Sequence, residues 1–112
     1  MRRGEIWWAS LPSPAGSAPG FSRPVLIVQS DEFNSSRIGT VVVVAITSHV
    51  RLARAPGNVR LTRRKSGLPR ESVVNVSQVV TLDKSALTGK VRVLAPADRA
   101  RVEAGLCLVL AL

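Results

Sequence analysis

Apolar residues fall into short runs separated by Pro, Gly and polar clusters, the spacing expected of strands joined by turns. Residues 5–11 (Glu-Ile-Trp-Trp-Ala-Ser-Leu) combine aromatic and branched side chains and predict a first strand. Residues 12–22 hold three Pro, two Gly and three Ser, so they predict a loop. Pro24–Ser30, centred on Val25-Leu26-Ile27-Val28, predicts a second strand. Asp31–Gly39 reads as a polar connection with one helical turn, capped by Asp31 or Ser30. Thr40–Ile46 predicts a third strand, because its four consecutive valines disfavour a helix and fit a pleated sheet. Two further short strands fit near residues 57–62 and 72–80.

The tail changes period. Pro96 suits the first position of a helix, and Asp98 complements a helix N-terminus. Val102, Leu106, Val109 and Leu110 then recur at helical spacing, with Gly105 weakening the helix by about 1 kcal/mol relative to Ala. The end of this helix is apolar nearly all round, so it needs cover from the sheet on one side and a second subunit on the other. Together these elements predict a mainly β domain over residues 1–112, a small barrel or sandwich with a C-terminal helix. Trp7 and Trp8 point to opposite faces of their strand, one toward the core and one toward an interface or stacking surface.

Charge narrows the function. Sixteen Lys and Arg face seven Asp and Glu, a net charge of +9. That excess exceeds what solubility needs and points to a polyanionic partner, nucleic acid or an acidic protein. Arg51, Arg54, Arg60, Arg63, Arg64, Lys65 and Arg70 follow one another with no intervening acidic residue, in a stretch whose Pro and Gly predict loops. Arg outnumbers Lys there, which suits forked phosphate contacts and stacking on unpaired bases. Cys107 is the only cysteine, so neither an internal disulfide nor a Cys-based metal site forms; within Leu106–Leu110 it reads as a small hydrophobe. The N-terminus lacks the apolar run of a signal peptide, and no apolar run is long enough to span a bilayer. A soluble, reducing, cytoplasmic setting is the expectation.

Strand pairing suggests a site. If the second and third strands are antiparallel with Ser30 opposite Thr40, Pro24 faces Ile46 and Arg23 faces Thr47. One sheet end then gathers a guanidinium and the hydroxyls of Thr47 and Ser48, and Pro24 holds Arg23 extended. These residues read equally as a phosphate cradle and as a strand-end charge beside a turn.

Six blocks in order carry a resemblance. They are Arg3–Trp7, Ser22–Gln29, Val43–Ser48, Pro56–Val59, Gly67–Asn75 and Gln78–Lys84. The chain resembles the MazF/PemK toxin family over nearly its whole length. The resemblance implies an SH3-like barrel with a C-terminal helix, a homodimer, and a ribosome-independent endoribonuclease. It further implies cleavage of single-stranded RNA (mRNA, tRNA or rRNA) at short sequences, with neutralisation by a cognate antitoxin, here expected to be acidic. Carried over by motif, Arg23 and Thr47 would be catalytic, Arg23 stabilising charge and Thr47 binding the scissile phosphate.

Metal-free RNA cleavage uses the substrate 2′-OH as nucleophile and leaves a 2′,3′-cyclic phosphate and a 5′-OH. With one histidine and no dense carboxylate cluster, neither a two-His mechanism nor a metal site is expected, and no cofactor. An Arg is a poor general base because its guanidinium stays protonated near neutral pH. Family members often carry an acidic or histidine residue in the loop before the Arg; Gly16–Gly20 has none, and Val80 stands where many have Arg. His49, which shares a strand face with Thr47 by alternation, is the candidate proton carrier. Ser48, Arg54, Arg63, Arg64, Lys65, Glu71 and Gln78 are the expected RNA contacts. For Glu71 pairing with Arg70 is the alternative to a base contact, and for Gln78 solvent is. Two other readings stand beside the ribonuclease. One is a non-catalytic toxin like the CcdB gyrase poisons, whose Trp-Gly-Ile ending differs from Leu108-Val109-Leu110-Ala111-Leu112. The other is a basic RNA-binding module.

Overall fold

Six antiparallel strands in the order β4-β5-β3-β2-β1-β6 make one sheet in the computed structural model, which describes residues 1–11 and 21–112. The elements in chain order are β1 (Glu5–Leu11), β2 (Phe21–Ile27), α1 (Asp31–Asn34), β3 (Thr40–Thr47), β4 (Val59–Leu61), α2 (Arg63–Ser66), β5 (Ser72–Asp83), β6 (Leu87–Val93) and α3 (Pro96–Leu110). A 3₁₀ turn over Val50–Arg54 links β3 to β4. The predicted loop at 12–22 lies outside the described residues except for Phe21 and Ser22, which belong to β2. Ser30 is the N-cap residue of α1, but its side chain makes no capping bond.

The sheet is curled into a half-barrel because its long strands bend. Val44 pairs with Val79 but Ile46 pairs with Val74, so extra β5 residues bulge out between them. Alternation along the strands divides the apolar residues between two clusters. Leu26, Val44, Ile46, Val74 and Val76 join Leu94 and Val102 in the larger one, while Ala9, Val25, Ile27, Val41 and Val43 form the smaller. Trp8 packs against the first and Trp7 against the second, so both tryptophans support a core. β6 was missing from the predicted elements and β5 runs further than expected, through Asp83.

α3 covers the larger cluster and is tied down by polar contacts. Arg3 reaches Glu103 at 2.8 Å, and Lys65 of α2 reaches the buried Asp98 at 3.4 Å. The helix touches the turn before β4 through glycine: a Cβ on Gly105 would stand 2.1 Å from the Gly57 carbonyl oxygen. Cys107 is exposed rather than buried, beside exposed Leu108, Val109 and Leu110.

Glu5 is a buried carboxylate at the start of β1. Burial alone would raise its pKa, but hydrogen bonds from the Lys90 ammonium, the Trp7 indole N–H and the Arg2 backbone N–H outweigh it and hold the group below 4.5. Its contribution is present above the unfolded value and disappears as pH falls through the lowered folded one. The thermal midpoint should therefore fall as pH drops from about 5 toward 3. Glu5→Gln should lose part of that slope, and an unchanged slope would contradict the assignment.

Candidate RNA-cleaving site

β2 and β3 bring the site together. Their ladder pairs Val25 with Ala45, Leu26 with Val44 and Ile27 with Val43, the register expected from the sequence. Continued two steps, it sets Arg23 opposite Thr47, and both side chains line one cavity of about 320 Å³. That volume lies at the small end of ordinary ligand pockets. Its polar lining residues are Arg23, Thr47, Ser48, His49, Arg70 and Ser72, and its apolar ones are Trp8, Pro24, Ile46, Leu68 and Pro69. No Asp or Glu lines it among the described residues, and residues 12–20 contain no ionisable side chain.

Each polar group is positioned locally. The Arg23 guanidinium sits over the Phe21 ring, with Cζ 5.1 Å from the centroid. Phe21 lies two residues back on the same strand, so alternation puts it on the same face. Thr47 is buried, and its Oγ1 accepts the His49 backbone N–H at 3.2 Å. With a lone pair so occupied, the hydroxyl proton is left to donate to an anionic oxygen. Strand geometry ends at Thr47, so the alternation expected to aim His49 does not apply. His49 is the exposed residue before the 3₁₀ turn, and it stands in the cavity lining.

Asn58 braces the turn. Its amide donates to the Leu52 carbonyl at 2.8 Å, and its oxygen accepts the Val76 N–H at 2.9 Å, joining the turn to β5.

The opposite wall comes from the chain after α2. Thr62 caps α2 by accepting the Lys65 N–H at 3.3 Å. Gly67 then takes a left-handed conformation, φ 73°. The buried Leu68 anchors the wall in the core, and the Ser72 hydroxyl donates to the Arg70 carbonyl at 3.0 Å.

The other expected RNA contacts lie outside this cavity. Arg54 is exposed at the end of the 3₁₀ turn. Arg63, Arg64 and Lys65 form the exposed turn α2 rather than a loop. Folding supplies the acids that the local sequence lacked. Glu71 pairs with Arg60, not with Arg70, and Lys65 pairs with Asp98. Gln78 is exposed in the bulged part of β5. The cavity residues that sequence reading missed are Arg70, Ser72, Trp8, Leu68 and Pro69. Only Trp8 had a local signal, its position on a strand face. Among the described residues no three His, Cys, Asp or Glu side chains converge into a metal-binding group, and no helix is long and apolar enough to cross a membrane.

Residues 2–110 match the family model described as PemK-like, MazF-like toxin of type II toxin–antitoxin system. The chain belongs to this toxin family.

Curated relatives agree. The chain is 48% identical over 110 residues to the protein named Endoribonuclease MazF6 of Mycobacterium tuberculosis, covering 98% of this chain and 96% of that one. It is 35% identical over 112 residues to Endoribonuclease EndoA of Bacillus subtilis, covering 100% and 96%. Among solved structures it superposes on a mycobacterial endoribonuclease in complex with its cognate antitoxin. There the TM-score is 0.80 at 25% identity, over 100% of this chain and 96% of the other. A Deinococcus radiodurans MazE–MazF structure matches its fold with TM-score 0.82 at 21% identity, over 100% and 96%. A curled half-barrel of six antiparallel strands with a C-terminal helix is thus the fold that this family member shares with solved MazF toxins.

Proposed function

We propose that this chain is a metal-independent endoribonuclease toxin acting on single-stranded RNA. The observation that carries the reading is the single cavity holding Arg23, Thr47, Ser48 and Arg70 with no carboxylate in its described lining. Two guanidiniums and two hydroxyls without a competing acid make a receptor for a phosphodiester, and the apolar residues of the same lining suit a base or ribose. Acid residues that would hold a divalent ion against phosphate are not among that lining.

The chemistry follows from the parts. Thr47 and Ser48 hold the nonbridging oxygens of the scissile phosphate. Arg23, steadied on Phe21, stabilises the extra negative charge that develops as the substrate O2′ attacks phosphorus. The 5′-oxygen leaves, giving a 2′,3′-cyclic phosphate and a 5′-OH end. Arg54, Arg63 and Arg64 extend the positive surface for flanking phosphates, Lys65 serves mainly as an anchor to Asp98, and Glu71 and Gln78 reach toward bases. A single-stranded substrate fits better than a duplex, because a cavity of this size admits an unstacked nucleotide.

Partners follow from the same surfaces. An acidic antitoxin segment studded with apolar residues complements the cavity and the Arg51–Arg70 stretch. A second copy of the chain covers the exposed Leu108–Leu110 end of α3, as a family homodimer would. The setting is the cytoplasm, where RNA and translation are. Purified protein incubated with a defined single-stranded RNA in EDTA should produce discrete fragments with 5′-OH ends. Absence of cleavage in EDTA, restored by a divalent metal, would replace this reading with a metal-dependent one.

A further inference from the structure

Cleavage through the 2′-OH requires a group that moves a proton near neutral pH, and the expected source, the loop before Arg23, has no ionisable side chain. The cavity itself offers one titratable side chain other than arginine among the described residues, His49. It is also the only histidine of the chain. It stands in the same lining as Arg23 and Thr47, and its backbone N–H is bonded to the Thr47 hydroxyl at 3.2 Å. The bond ties the backbone of the imidazole-bearing residue to the side chain that would hold the phosphate. Asn58 fixes the turn that follows by bonding the Leu52 carbonyl and the Val76 N–H.

We propose that His49 is the proton carrier of this site, an inference that rests on the ribonuclease reading above. Its neutral imidazole takes the 2′-OH proton as the O2′–P bond forms. The P–O5′ bond then breaks, and the imidazolium returns that proton to the departing 5′-oxygen. One proton is taken and one is given back, so the step balances with no further reactant. Arginine cannot share this duty at neutral pH, because the guanidinium stays protonated. The charged groups facing His49 are Arg23 of β2 and Arg70 of the wall before β5, with Arg51 and Arg54 on the 3₁₀ turn beside it. A proton-carrying imidazole gives the rate an acid limb that its removal abolishes.

The test compares wild type, His49→Ala, His49→Gln and Arg23→Ala on one single-stranded RNA in EDTA between pH 5 and 8. Binding is read separately on the same RNA carrying a 2′-deoxy residue at the cut. The wild type should lose rate toward acid. Both His49 variants should fall about 10²–10⁴-fold in kcat, without that acid limb and with affinity for the uncleavable RNA within about twofold. Added imidazole should recover part of the rate of His49→Ala, which a merely structural defect would not allow. The proposal is overturned if both His49 variants cleave within about threefold of wild type and keep the acid limb. Activity in them alongside a dead Arg23→Ala removes His49 alone. A wild type that cuts no RNA removes the ribonuclease reading as well.

Discussion

Arg23→Ala is expected to lower kcat for RNA cleavage by about 10²–10³-fold, the usual cost of deleting one prearranged donor at a developing oxyanion. The fold should survive, because Arg23 is exposed at the open end of β2 and the cluster beneath it starts at Val25. Affinity for an uncleavable RNA should fall much less than kcat, since Arg70, Thr47 and Ser48 still line the cavity. Arg23→Lys should recover only part of the loss, as an ammonium keeps the charge but not the planar fork or the stacking on Phe21. Single-turnover cleavage with titrated binding separates these effects. Equal losses in binding and in kcat would instead make Arg23 an anchor for RNA without a part in the transition state.

Gly105→Ala should destabilise the fold by roughly 2 kcal/mol or more, the range of core overpacking. Helix propensity alone forecasts the opposite, a gain of about 1 kcal/mol. The contact decides the sign. A Cβ at Gly105 would lie 2.1 Å from the Gly57 carbonyl oxygen and 2.9 Å from its carbon, and those are backbone atoms that no rotamer change can clear. Gly57 holds φ 85°, a conformation that side chains other than glycine rarely adopt, so it has little freedom to withdraw. The helix would have to lift from β4, exposing Val59 and Val102 of the larger cluster. For a chain this short the thermal midpoint should drop by about 10 °C. An unchanged or raised midpoint would mean that the α3–β4 contact is looser than described.

These two residues mark what the sequence could and could not convey. Arg23 was legible because strand pairing is local: two apolar runs and a short connection set a register that placed it opposite Thr47, and the ladder keeps that register. β1 and the start of α3 were legible for the same reason, through an aromatic-rich run and Pro96. Gly105 read as a weak helix position because its reason, Gly57, is remote in sequence. β6 escaped because its apolar positions, Leu87, Val91 and Val93, are sparse and interrupted by Gly89, a pattern too thin to stand out from a loop. Arg70 looked like one more member of a charge run. Only the left-handed Gly67 and the buried Leu68 turn it into the cavity, and neither effect has a local signature. Likewise the run of unopposed cations was misleading locally, since Glu71 and Asp98 return to pair with Arg60 and Lys65.

Attack by the substrate's own 2′-OH in the Arg23–Thr47 cavity can be tested with one RNA made twice, unmodified and with a single 2′-deoxy residue at the mapped cut, both incubated in EDTA. The unmodified RNA should be cut there to a 2′,3′-cyclic phosphate and a 5′-OH end, while the deoxy RNA should stay intact at that position. Cleavage of the deoxy RNA at the same bond would contradict attack by the 2′-OH.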